Sequence, residues 1–111
     1  MTDYFANQYQ KDALRTESGS CDDSERILQG LMGLAGEAGE AIDILKKHMF
    51  QGHDLDKKHL AEELGDVAWY LAVSANAIEY DLSDIFKMNI EKLKKRYPCS
   101  FEPGRSINRE K

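Results

Sequence analysis

The sequence predicts an all-α protein, a four-helix bundle. Three observations carry this. Apolar residues recur at helical spacing in four segments; 32% of residues are charged and only 2 of 111 are proline; and no stretch sustains the two-residue alternation of a half-buried strand. The length suits one domain with one core. It divides into a helical domain over 1–97 and an extended or mobile tail over 98–111.

The first helix is expected over 3–16, with Phe5, Tyr9, Ala13 and Leu14 on one side, and "ESGSCDD" ends it. Ser24 then caps a long second helix over 24–50, striped by Ile27, Leu31, Leu34, Ala38, Ile42 and Leu45. "QGHDLD" is the next turn. The third helix, 56–79, carries Leu60, Leu64, Val67, Leu71, Ala75 and Ile78 in the same way. "EYDLS" separates it from a fourth over 84–97, with Ile85, Met88 and Leu93, and Pro98 stops that helix. Pro103-Gly104 and the loss of periodicity mark the tail.

Charge narrows the partners. With 15 basic and 20 acidic side chains the formal net charge is −5. Non-specific nucleic-acid binding rests on neutralising phosphates, so it is not expected here. Cys21 and Cys99 fit no metal-ligand spacing and read as free thiols in a reducing compartment. The N-terminus "MTDYFANQYQKDALRT" does not resemble a targeting peptide, and no apolar run approaches membrane-spanning length. A cytoplasmic protein without membrane partners is the expectation.

The chemistry lies in an echo. "GLAGEAGEAIDILKK" contains Glu37-Ala38-Gly39-Glu40, and "EELGDVAWYL" contains Glu63-Leu64-Gly65-Asp66. Residues three apart share a helix face, so Glu37 projects with Glu40 and Glu63 with Asp66. Both pairs sit just beyond the edge of their apolar stripe, which implies a half-buried setting. Gly30, Gly33, Gly36 and Gly39 recur every three residues in one helix. Each costs about 1 kcal/mol relative to alanine, a cost that close approach by another backbone or room for a ligand would explain. Crowded carboxylates repel and take up protons unless a cation lies among them. Oxygen ligands alone suit Mg²⁺ or Mn²⁺, and Mg²⁺ commonly works on phosphate compounds.

"GLAGEAGEAIDILKK", "EELGDVAWYLA" and "NIEKLKKRYP" together resemble the MazG-like nucleotide pyrophosphohydrolases of the all-α NTP pyrophosphatase superfamily, over about residues 24–98. The resemblance implies Mg²⁺-dependent hydrolysis of a nucleoside triphosphate to a monophosphate and pyrophosphate, with Mn²⁺ as a substitute metal. It implies that Glu37, Glu40, Glu63 and Asp66 bind the metal and form the catalytic set. It places Asn89, Lys92 and Arg96 on the last helix near substrate, and Lys47 at a basic position after the first acid pair. It further implies a homodimer or homotetramer in which neighbouring chains complete the site. Many members carry a further glutamate just ahead of the first pair; here that position is Gly36. The alternative is a non-catalytic helical interaction module that keeps a decayed nucleotide site. His48 and His53 read as surface histidines beside a turn, Lys94 and Lys95 as partners of a helix C-terminus, and Trp69 as core or interface. Ser106 and Arg109 are tail positions from which a partner's phosphate site could be reached.

Overall fold

The protein is described by a computed structural model covering residues 5–19, 21–99 and 103–107. Its elements are α1 (Ala6–Leu14), α2 (Asp23–Phe50), α3 (Lys57–Ala77), α4 (Leu82–Arg96) and the short α5 (Pro103–Ile107), with no strand among the described residues. The fold is all-α, as expected.

Local chemistry fixes the boundaries. α2 is capped two residues earlier than Ser24 would have it, by Asp22. Asp22 accepts from the Glu25 N–H at 2.8 Å, and the Glu25 side chain reaches back to the Asp22 N–H at 3.4 Å. This reciprocal cap outcompetes a lone serine because it satisfies two orphan donors rather than one. At the other end Gly52 takes a positive φ of 74°, and the His53 N–H turns back to the Lys47 carbonyl at 3.2 Å. Only glycine adopts that backbone without strain. Asp56 caps α3 by accepting from the His59 N–H at 3.0 Å. α4 begins at Leu82, two residues before the expected start, and ends at Arg96. Tyr97, forced out of the helical region by Pro98, is extended at φ −132°, ψ 81°. Within the stretch expected to be extended or mobile, Pro103–Ile107 forms a single helical turn, with proline at its first position, where its fixed φ suits a helix. Residues 100–102 and 108–111 lie outside the described residues, as does the expected start of α1 at residues 3 and 4.

α2 and α3 form the main pair and run antiparallel: Gly30 meets Ser74, Gly33 meets Tyr70, and Arg26 meets Asn76. α1 lies across α3, and α4 packs on α1 and α3. Buried polar bonds pin these crossings. The Gln10 amide donates to the Ala72 and Tyr80 carbonyls, each at 3.1 Å, and its oxygen accepts from the Leu82 N–H at 2.9 Å. Trp69 Nε1 donates to Thr16 Oγ1 at 2.8 Å and to the Ala13 carbonyl at 3.2 Å.

The core is small: Ala13, Val73, Ala72, Ala75, Ala77 and Leu82, with no large side chain fully buried among the described residues. Only part of each apolar stripe is covered: Ile27, Leu34 and Ala38 of α2, Leu60, Val67 and Leu71 of α3 and Ile85 of α4 are half-buried. Leu31, Ile42 and Leu45 of α2, Leu64 and Ile78 of α3, and Met88 and Leu93 of α4 are exposed. One thin layer of helices does not cover both faces of α2 and α3. The radius of gyration is 17.0 Å, against about 13 Å for a compact domain of this length.

Candidate functional site

The antiparallel α2–α3 pair brings the two acid motifs face to face. One carboxylate oxygen each from Glu37, Glu63 and Asp66 lies within 4.8 Å of the others. Glu37 is half-buried, Glu63 more deeply shielded at 13% side-chain exposure, and Asp66 exposed. Glu40 is exposed and outside this group of three, yet near enough for its charge to act on Glu37.

The electrostatic consequence falls on Glu37, whose pKa is pushed up to about 7. The main cause is a hydrogen bond shared with Glu63. Burial comes next, and then the charges of Glu63, Asp66 and Glu40. Glu63 shows the same tension in its geometry. Its Oε1 lies 3.2 Å from His59 Nε2, while its Oε2 is buried and, with Glu37 ionised, has no hydrogen-bond partner among the described residues. A buried acceptor with no donor costs free energy unless a proton or a cation reaches it. On α1, burial and then the Asp66 charge raise the Tyr9 hydroxyl pKa.

A cavity of about 480 Å³ opens one helical turn away, past Gly33 on α2 and Tyr70 on α3. A side chain at Gly33 would collide with the Tyr70 ring, and one at Gly30 with Ser74 Oγ. These two glycines let α3 side chains lie against the α2 backbone. Gly36 and Gly39 have nothing within 4 Å, so close packing within this chain does not account for them. Trp69 stands edge-on to Tyr70, with ring centres 5.0 Å apart, and its bonds to α1 hold both rings in the cavity wall. Arg26 closes another side. It grips Glu17 through two bonds of 3.0 and 2.8 Å and Asn76 through one of 2.7 Å.

The other candidate residues lie apart from the acids. Lys47 pairs with Asp43 at 3.0 Å, beside Lys46 at 3.3 Å, and the two lysines hold the Asp43 carboxyl below its ordinary range. Asn89 and Lys92 are exposed on α4, and Arg96 is half-buried at its end. Among the described residues no hydrogen bond or ion pair joins these four to the acid group. His59 was not singled out from the sequence. Its signal was there, a histidine four residues before Glu63 on a helix. No side-chain placement is described for Ser106, and Arg109 lies outside the described residues. Cys21 and Cys99 are both free. No helix among the described residues is long and apolar enough to cross a membrane.

A family model for the MazG nucleotide pyrophosphohydrolase domain matches residues 25–101. The chain belongs to this family. The match spans both MazG acid motifs, the α2–α3 pair that joins them, and α4. A relative, "Gene 37 protein" of Mycobacterium phage L5, is 35% identical over 101 residues, covering 87% of this chain and 89% of that one. No solved structure matches.

Proposed function

We propose that this MazG-domain protein is a Mg²⁺-dependent nucleoside triphosphate pyrophosphohydrolase that releases a monophosphate and pyrophosphate. The observation that carries the reading is the buried, unpartnered Glu63 Oε2 in a group with Glu37 and Asp66. Three carboxylates, one oxygen of which is buried and lacks a donor when all three are ionised, fit a hard divalent cation and fit a solvated surface poorly. Glu37, Glu63 and Asp66 would hold the ion, with Glu40 one turn on completing the acidic face. Mg²⁺ bound there supplies charge to offset the triphosphate and to polarise the α-phosphorus; Mn²⁺ is the substitute. The neighbouring cavity has the size and the aromatic wall to take a nucleobase while the phosphates lie over the acids.

The reading includes assembly. Ile42 and Phe50 on α2 are 68% and 77% exposed, and Leu64 on α3 and Ile90 on α4 are exposed with them. Continuous apolar faces of this kind mark an interface, and a second copy of the chain is the occupant proposed, giving a homodimer or homotetramer. Asn89, Lys92, Arg96 and Lys47 would then reach substrate in the assembled site, a partner's α4 standing where this chain's own does not. A non-catalytic interaction module would need the apolar faces but not the orphaned carboxylate oxygen.

The test is a panel of common and damaged nucleoside triphosphates, each incubated with the protein and Mg²⁺, with product identification. Monophosphate with pyrophosphate is expected. Orthophosphate with a diphosphate would mean attack at the γ-phosphorus and would overturn the proposal. No turnover across the panel would favour the interaction module.

A further inference from the structure

We infer that His59 is a positioning residue for the metal site: its Nε2–H anchors one oxygen of Glu63 so that the other is delivered into the acid group. The inference rests on the metal-site reading above and adds a residue that neither acid motif contains.

Three observations support it. First, His59 is itself held. It is the third residue of α3, and its backbone N–H is bonded to the Asp56 side chain at 3.0 Å. The ring therefore starts from a capped, ordered turn rather than a fraying one. Second, the ring reaches Glu63 one turn on, Nε2 to Oε1 at 3.2 Å. That oxygen can only accept, so Nε2 carries the hydrogen, whether the imidazole is neutral or charged. Third, Glu63's two oxygens are divided in role. Oε1 lies 3.2 Å from the His59 ring nitrogen, and Oε2 is buried and, with Glu37 ionised, without a donor among the described residues beside Glu37 and Asp66.

Glu63 needs such an anchor. Three carboxylates at this separation repel, and a glutamate side chain has rotatable bonds through which it can swing away. Fixing one oxygen leaves the carboxylate little freedom, so the entropy of ordering it is lost before the ion arrives. Donors to ligating groups commonly change metal affinity by about 10- to 100-fold when removed. His59 is 54% exposed at its side chain, so its loss should leave the packing of α3 intact.

Mn²⁺ binding to the full chain, followed by electron paramagnetic resonance in titrations of wild type, His59→Ala and His59→Gln, tests this. Glutamine is the informative variant because its amide can donate to Glu63 from the same position. His59→Ala should bind Mn²⁺ about 10- to 100-fold more weakly, with an unchanged melting temperature in chelator, and His59→Gln should recover most of the affinity. In turnover, His59→Ala should need more Mg²⁺ for half-activation while approaching the wild-type kcat at saturation. If wild type itself does not bind Mn²⁺, the metal-site reading fails, whatever His59 does. If wild type binds and His59→Ala binds equally well, His59 has no positioning role. If His59→Gln is as weak as His59→Ala, the imidazole itself is required and the hydrogen-bond role is overturned. Should His59→Ala fold poorly, His59→Gln against wild type still decides whether a donor at this position suffices.

Discussion

Glu37 and Glu63 carry opposing demands. Bringing their carboxylates together would prepare the proposed cation site and destabilises the chain that holds it. The raised Glu37 pKa, to about 7 from 4.5, turns this into a pH dependence. A carboxyl whose pKa is higher folded than unfolded binds its proton more tightly in the folded state. Its contribution is fully present below about 4.5 and is lost as pH rises through 7. The metal-free melting temperature should therefore fall between pH 5 and 7.5, and Glu37→Gln should flatten that slope; thermal melts in chelator across the range check it. Glu63→Gln should raise the metal-free melting temperature at pH 7 or leave it unchanged. It removes a repelling charge yet keeps an oxygen to accept from His59. The same change should reduce activity by at least about 100-fold and abolish most stabilisation by Mg²⁺. Melts of both proteins with and without Mg²⁺ read this directly. A destabilised mutant with an undiminished Mg²⁺ shift would assign Glu63 to packing.

At the scale of the elements, the glycines of α2 divide into two sets. Gly33→Ala would drive a methyl group into the Tyr70 ring, which Trp69 backs and α1 anchors, so the ring cannot yield freely. A loss of about 1–3 kcal/mol is expected, as for other overpacked contacts. Gly39→Ala meets nothing within 4 Å and should gain about 1 kcal/mol from helix propensity. Paired chemical denaturation curves test the contrast. All four long helices were legible in the sequence because periodic apolar residues and turn signals declare them locally. The α2 start was misplaced because Ser24 is a good cap residue, and the Asp22–Glu25 reciprocal pair was overlooked beside it. The acid pairs were legible as i, i+3 neighbours. That Glu37 joins Glu63 and Asp66 while Glu40 stays outside depends on how far α2 slides along α3, and Gly33 and Tyr70 set that register. Spacing within one helix carries no such information. Nor does it reveal that Trp69 is bonded to Thr16, 53 residues away in the chain.

For the whole molecule, the decisive fact is a core of mainly alanines beneath helices studded with exposed Leu, Ile, Met and Phe. Exposed apolar residues scattered singly need no explanation. Here Leu31, Ile42, Leu45, Leu64, Ile78, Met88 and Leu93 lie on the stripes that the sequence marks along α2, α3 and α4, and Leu28, Met32, Met49, Phe50 and Ile90 widen the exposed apolar surface. Each apolar side chain moved out of water contributes about 1.5–3 kcal/mol, and one chain with no large fully buried side chain forgoes most of that gain. The proposed association of copies through these faces would supply it. Light scattering at micromolar concentration should therefore give a mass of at least twice the 12.6 kDa chain. A charge placed in the face, as in Ile42→Glu, should shift the mass toward monomer, lower the melting temperature, and weaken the dependence of that temperature on protein concentration expected of the assembled wild type. The acids belong to one chain's α2–α3 pair, so the dissociated variant should still bind Mn²⁺. Turnover should fall, because Lys92 and Arg96 lie away from the acids of their own chain. A monomeric wild type with full turnover would refute both the assembly and the placing of the α4 cations in a partner's site.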